Sequence, residues 1–144
     1  MRIGIIGAGS VGGTLGAAWA RRGHQVRFGV RRPDSPEMAA LLKQIGESAA
    51  AGSVAEAAGF GEAVVLATPW PATEEALRAA GDLGGKVLLD CTNPLKPDLG
   101  GLDADSPRPP ARRSPSGLQG RAWSRFSIRQ VLGTWRIRRT RWVP

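Results

Sequence analysis

Before residue 105, two patterns of apolar and polar residues alternate along the chain. Short apolar runs, most of them rich in Val, Ile and Leu, predict buried strands at 2–7, 25–30, 48–51, 62–67 and 86–90. Longer segments with apolar residues at helical spacing predict helices at 11–22, 36–45, 54–59 and 71–80. Strands that alternate with helices form parallel sheets with right-handed crossovers. We therefore expect an α/β fold with a doubly wound parallel sheet of about five strands, in the order 3-2-1-4-5.

The composition changes at about residue 106. Residues 1–105 carry 10 Lys and Arg against 12 Asp and Glu, whereas residues 106–144 carry 10 Arg and no acidic residue. The formal net charge of +8 therefore belongs to the last part of the chain. Prolines break any helix early in this part, and residues 121–144 show no clean period of 2 or 3.6. We expect a folded domain at 1–105 and an irregular, basic tail at 106–144.

Composition also excludes several classes of protein. Cys91 is the only cysteine, so no intrachain disulfide can form, which fits the reducing cytoplasm. The chain has no run of 18 apolar residues, so we expect neither a membrane span nor a membrane partner. No spacing of metal ligands and no pair of acid and base residues stands out. We therefore predict no metal site and no catalytic side chain.

A glycine-rich turn joins the first predicted strand to the first predicted helix. It reads Gly-Ala-Gly-Ser-Val-Gly at 7–12, and this G-x-G-x-x-G pattern between a strand and a helix is typical of a Rossmann-type dinucleotide site. Gly7 permits the tight turn, Gly9 lets the backbone approach a pyrophosphate, and Gly12 allows close packing of the helix on the strand. The free N–H groups at the start of the helix would hold the phosphates. The alternative is a glycine-rich turn without a ligand.

The residues after the second predicted strand indicate which dinucleotide is preferred. An NAD site usually places Asp or Glu there, to accept hydrogen bonds from the ribose hydroxyls. This chain has Arg31 and Arg32 instead. A guanidinium suits a 2′-phosphate because it stays charged and offers a planar fork of donors. We therefore expect NADP(H) rather than NAD(H); the alternative is that both arginines are solvated loop charges.

These motifs belong to an ordered set that also contains ATPW at 67–70 and LLDCTNPL at 88–95. Over residues 1 to about 103, the set resembles the NADP oxidoreductases that depend on the deazaflavin coenzyme F420, and their close reductase relatives. The resemblance implies hydride transfer between NADPH and coenzyme F420, or a similar small-molecule acceptor. In such a reaction the cofactors carry the chemistry and the protein aligns them. The resemblance also implies a homodimer, since members of the family are often homodimers.

The resemblance assigns the phosphates of the dinucleotide to particular residues. Ser10, Val11 and Gly12 would contact the pyrophosphate. Arg31 and Arg32 would hold the 2′-phosphate.

The nicotinamide half would lie at the ends of the next two strands. By resemblance, Thr68 and Pro69 would lie against the ribose and the nicotinamide. Asn93 and Pro94 would lie near the transferred hydride. The chain departs from the family at Val30, where members often have Ser or Thr, so one hydroxyl contact is lost.

The tail does not resemble the continuation of the family. Codons for residues 121–138 can be chosen so that a reading frame shifted by two bases gives RVVKVFNTTGFGNMADP. That string looks like the next strand and loop of the family. Our hypothesis is a frame shift near 103–106, which also accounts for a segment rich in Arg and Pro and free of acidic residues. Otherwise the tail is a disordered basic segment.

Three functions remain open from the sequence. The first is an NADP-dependent oxidoreductase domain of the deazaflavin-linked type. The second is a truncated remnant that binds NADP(H) without turnover, because the pocket for the second substrate is missing. The third is a nucleic-acid binder that uses the arginines and tryptophans of the tail. We regard nucleic acid as the least expected partner.

Overall fold

The computed structural model describes residues 1–93 and the backbone of two further strands, at 125–131 and 134–140. Within residues 1–93, five parallel strands form one sheet in the order β3-β2-β1-β4-β5. The strands are β1 (Arg2–Ile6), β2 (Gln25–Gly29), β3 (Ala49–Gly52), β4 (Ala63–Leu66) and β5 (Val87–Asp90). The predicted fold class, a Rossmann-type doubly wound α/β sheet, is confirmed.

Four helices connect these strands, and local sequence sets where they begin. They are α1 (Ser10–Ala20), α2 (Pro36–Ile45), α3 (Val54–Phe60) and α4 (Thr73–Ala80), the last preceded by a 3₁₀ turn at Trp70–Ala72. The Ser35 hydroxyl accepts the Met38 N–H at the start of α2, with proline at the first helical position. Ser53 and Glu56 form a reciprocal capping box at the start of α3.

Two clusters of buried side chains lie on opposite faces of the sheet. Ile5 pairs with Phe28 of β2 and with Val65 of β4, so the three side chains point to the same face, where they pack with α1 and α2. Ile6 and Leu66 point to the opposite face and pack with α3 and α4. The carboxyl ends of the central strands are thereby fixed at one edge of a packed core.

The structure differs from the sequence expectation in the tail. Strands β6 (Arg125–Val131) and β7 (Thr134–Thr140) pair antiparallel, with Ile128 opposite Ile137. In each strand, polar and apolar residues alternate over only five positions, RFSIR and TWRIR. Such short runs do not give residues 121–144 a clear period of 2. The domain boundary at 105 and the frame shift stay predictions.

None of the helices in the described part of the chain has the length and hydrophobicity that a bilayer crossing requires. Within the same residues, His, Cys, Asp and Glu form no cluster of three or more that could hold a metal ion.

Candidate functional site

A cleft of about 920 Å³ lies at the carboxyl ends of β1, β2 and β4. The chain passes from β1 outward to β2 and β3 and then returns to β4 on the other side of β1. Strand order therefore reverses at the β1–β4 boundary. In open α/β sheets, ligands bind at such a switch point.

The floor of the cleft is the turn after β1. Gly7 has φ of +101°, and a Cβ atom there would lie 2.5 Å from the carbonyl oxygen of Ala67, which follows β4. Its N–H donates to the carbonyl oxygen of Gly29, at the end of β2, over 2.9 Å. Only glycine combines this conformation with this close approach. The turn therefore ties the ends of the three strands that surround the cleft.

The start of α1 presents backbone N–H groups to the cleft. The first bond of the helix runs from the Gly13 N–H to the carbonyl oxygen of Gly9, over 2.8 Å. The N–H groups of Ser10, Val11 and Gly12 precede it and have no acceptor within the helix. Gly9 caps the helix without a side chain, and nothing lies within 4 Å of the position where its Cβ would be. An anion can therefore approach these N–H groups with the favourable end of the helix dipole.

Two guanidinium groups border the cleft at the end of β2. Arg31 and Arg32 are exposed and line the same cleft as Gly9 and Ser10. Sequence reasoning did not include Glu37, which also lines the cleft, from the first turn of α2. Its own backbone N–H, the Ser35 hydroxyl and the charge of Arg32 lower the pKa of the Glu37 carboxyl below its usual range, which is itself well below neutral pH. Arg31, Arg32 and Glu37 thus bring two positive charges and one negative charge to the cleft, and Arg21, which follows α1, adds a further positive charge to its lining.

The opposite end of the cleft is formed by the segment after β4. Thr68 and Pro69 line it, together with residues of α4. The buried Thr73 hydroxyl donates to the carbonyl oxygen of Pro69 over 3.3 Å and lies 3.3 Å from the Thr68 hydroxyl. Thr73 therefore holds both residues at the cleft, although sequence reasoning did not identify it. A threonine at the start of a helix carries no signal of such a contact.

The end of β5 is separate from the cleft lining. The Asp90 carboxylate accepts the N–H and the hydroxyl of Thr92, over 2.9 and 2.7 Å. Asn93 is exposed and is not among the cleft-lining residues, and Pro94 lies outside the described residues. Their predicted place near the hydride stays a prediction.

Cys91 is not suited to nucleophilic chemistry. Its thiol is partly buried and packs against the core cluster that contains Ile5. Burial, and to a lesser extent the charge of Asp90, raise the pKa of the Cys91 thiol to about 11. The thiolate is the reactive form, so this residue is a packing residue at the strand end.

The predicted site residues therefore fall into two groups. Those that line the cleft are Gly7, Gly9, Ser10, Arg31, Arg32, Thr68 and Pro69. Val11 and Gly12 lie in the first turn of α1 but are not among the lining residues, and Gly12 is buried. A Cβ at Gly12 would lie 2.1 Å from the carbonyl oxygen of Gly7, so this glycine serves the packing of the helix on the turn.

Comparisons with a family model and with a solved structure indicate the same family. The model of the family of coenzyme F420-dependent NADP oxidoreductases matches residues 2–94. A candidate F420-dependent NADP reductase from Arthrobacter sp. FB24 is 33% identical, with a TM-score of 0.63; the match covers 71% of this chain and 51% of that protein. No curated protein matches the chain.

Two further solved structures share the fold alone, since their identity to this chain is low. An imine reductase from Streptomyces aurantiacus is 22% identical, with a TM-score of 0.64, over 91% of this chain and 42% of that protein. A hypothetical protein from Sinorhizobium meliloti is 20% identical, with a TM-score of 0.68, over 88% of this chain and 60% of that protein. The chain thus spans about half the length of these relatives.

Proposed function

Because the chain belongs to the family of coenzyme F420-dependent NADP oxidoreductases, we propose that its cleft binds NADP(H) for hydride transfer to a second, small-molecule substrate. One observation carries this proposal. The free N–H groups at the start of α1 and the guanidinium groups of Arg31 and Arg32 border one cleft at the switch point of the sheet.

The charges of the cleft fit a dinucleotide with three phosphate groups. The pyrophosphate would lie against the first turn of α1, where Gly9 leaves the space open. The 2′-phosphate would lie between the guanidinium groups of Arg31 and Arg32, which offer charge-assisted hydrogen bonds. A volume of about 920 Å³ is in the range of cofactor sites.

The nicotinamide would lie at the other end, beside Thr68 and Pro69. The Thr73 hydroxyl fixes the backbone of this segment through Pro69, so the ring would rest on a preformed wall. NADPH supplies the hydride when bound. The described residues that line the cleft would contribute orientation and charge, since in such a reaction the cofactors carry the chemistry.

We propose a deazaflavin of the coenzyme F420 class as the hydride acceptor. Family membership supports this choice, as does the 33% identity to a protein described as an F420-dependent NADP reductase. The homodimer is likewise a proposal by family resemblance. Because the chain spans about half the length of its relatives, transfer of a hydride to the acceptor is tested separately from NADP(H) binding.

Two measurements test the proposal in sequence. Calorimetry on the purified chain should detect binding of NADPH, with weaker binding of NADH. Absorbance should then show oxidation of NADPH when oxidised coenzyme F420 is added. Binding with turnover supports the oxidoreductase, and binding without turnover supports a remnant that only binds NADP(H). No heat with NADPH at millimolar concentration would reject the proposal.

A second candidate function concerns the tail, and the register of the β6–β7 hairpin favours it. Residues that lie directly opposite one another share a face of the hairpin. The register therefore places four arginines on one face, Arg125, Arg129, Arg136 and Arg138. Paired strands with rows of arginine are compatible with a nucleic-acid backbone.

Salt dependence separates specific binding from simple charge attraction. Any segment with ten arginines binds polyanions weakly through release of counterions. Only sequence preference, or tight binding at physiological salt, supports a nucleic-acid binder. Sequencing the gene across codons 103–106 is the independent check, since a shifted frame would remove the basis for this function.

A further inference from the structure

An acidic side chain lies in the part of the cleft that the arginines make positive. Glu37, in the first turn of α2, lines the cleft together with Arg31, Arg32 and Ser35. The Glu37 carboxylate and the Arg32 guanidinium form no ion pair within 4.0 Å, since Arg78–Glu74 is the only ion pair within residues 1–93. The two groups are still near enough for the charge of Arg32 to favour the ionised carboxyl. Neither charge neutralises the other by direct contact.

The Glu37 carboxylate occupies the kind of environment that a phosphate oxygen prefers. Its own backbone N–H and the Ser35 hydroxyl, at the N-terminus of α2, favour its ionised form and lower its pKa. The ordinary pKa of a glutamate is already well below 7 and this one is lowered further, so the carboxylate is charged at neutral pH. A second anion that enters the same end of the cleft would meet a charge of the same sign.

We propose that Glu37 is a specificity-determining residue that weakens the preference for NADP(H), because its carboxylate repels the 2′-phosphate and competes with it for Arg32. This inference rests on the proposed function, since it assigns the arginine end of the cleft to the 2′-phosphate. Arg31 and Arg32 favour the phosphate, and Glu37 opposes it. NAD(H) lacks the 2′-phosphate, so its binding is insensitive to Glu37.

The test compares E37Q with a matched variant outside the cleft. E37Q removes the charge and keeps the size of the side chain. E47Q makes the same change at an exposed glutamate just beyond the other end of α2, outside the cleft lining. Because both variants change net charge equally, only a local effect separates them.

The dissociation constants of NADPH and NADH are measured by calorimetry for the wild-type chain and both variants at low ionic strength. We expect E37Q to tighten NADPH binding about threefold to tenfold and to change NADH binding less than about twofold. E47Q should change either constant less than about twofold. In about 0.5 M salt, the gain of E37Q should shrink to less than about twofold, because exposed charges are screened.

The outcomes separate this inference from the function on which it rests. A wild-type chain that binds no NADPH rejects the proposed function, and the role of Glu37 with it. If NADPH binds but E37Q leaves its affinity unchanged or lowers it, only the role of Glu37 is overturned. The melting temperature of E37Q shows whether it folds; the loss of one acidic residue at a helix start should lower it by a few degrees at most.

Discussion

A Cβ atom at position 12 would lie 2.1 Å from the carbonyl oxygen of Gly7, because the first turn of α1 packs directly on the turn after β1. The obstructing atom belongs to the backbone and cannot rotate away, so a side chain there requires the helix to move. At Gly9, nothing lies within 4 Å of the same hypothetical atom. Two glycines of one motif therefore have different roles, one in packing and one in access to the helix start.

We expect G12A and G9A to separate these roles. G12A should lower the free energy of unfolding by about 1–3 kcal/mol, because overpacking forces backbone shifts. G9A should change it by less than about 0.5 kcal/mol. NADPH binding by G9A should weaken at least about tenfold, since the new methyl group would occupy the space proposed for the pyrophosphate. Urea unfolding and calorimetry give the two quantities. A folded G9A variant with wild-type affinity would show that the pyrophosphate does not lie over Gly9.

The arginines at the end of β2 lead to a second prediction. R31Q and R32Q should each weaken NADPH binding by about tenfold or more, because each removes charge-assisted hydrogen bonds to the 2′-phosphate. NADH binding should change by less than about twofold. R22Q is the matched control, since Arg22 is exposed and does not line the cleft. Equal losses for NADPH and NADH would place the arginines at the pyrophosphate rather than at the 2′-phosphate.

The order of the sheet could be predicted because each central strand is an apolar run and a helix separates it from the next. β3 is the least obvious strand from sequence, since Ala49–Gly52 holds only alanine and glycine. This segment becomes a strand by pairing with β2, where Val26 lies opposite Ala49. The positions of the glycine turn and the arginine pair could be predicted as well, because each is a short continuous motif directly after a predicted strand.

Residues whose role depends on the exact shape of a loop or helix start could not be found in this way. Glu37 is an ordinary first-turn glutamate until the fold brings it beside Arg32, and Thr73 is an ordinary helix residue until it contacts Pro69. The hairpin at 125–140 escaped for a different reason. Its two alternating runs are only five residues long, which is too short to establish a period of 2 over residues 121–144.

Lys86 contributes a stabilising contact that the sequence did not reveal. Its ammonium group donates to the carbonyl oxygens of Ala58 and Gly59, over 2.6 and 2.9 Å. These carbonyls are in the last turn of α3, where intrahelical donors are absent. K86M keeps the stem of the side chain and removes both bonds. We expect it to lower the free energy of unfolding by about 1–3 kcal/mol.

The control for this change is K43M, at an exposed lysine in the last turn of α2. It removes a favourable helix-dipole interaction only, so it should cost less than about 1 kcal/mol. Urea unfolding of both variants gives the comparison. Equal losses of unfolding free energy in K86M and K43M would mean that the two hydrogen bonds of Lys86 contribute nothing beyond the effect of its charge.

Because of Cys91, the stability of the fold should decrease as the pH rises in the alkaline range. Burial and the charge of Asp90 raise the pKa of its thiol from 9.0 to about 11. Between these two values, the unfolded chain loses the proton while the folded chain keeps it. The stability from this group is therefore complete below about pH 9 and is lost as pH rises toward about 11.

C91A should remove this dependence, because alanine has no proton to lose. Relative to C91A, the wild-type chain should lose about 1 kcal/mol of unfolding free energy between about pH 8 and pH 10.5, because the partial exposure of the thiol reduces the value of about 2 kcal/mol that the two pKa values alone would give. Urea unfolding of both chains at the two pH values measures the effect, and common effects of other groups cancel in the comparison. The same pKa predicts that iodoacetamide modifies the folded chain about tenfold more slowly than the unfolded chain at about pH 8, because the smaller thiolate fraction is partly offset by the greater nucleophilicity of a thiolate with a higher pKa. Parallel losses of stability in the two chains, together with fast alkylation of the folded one, would show that the thiol is accessible and ionises freely.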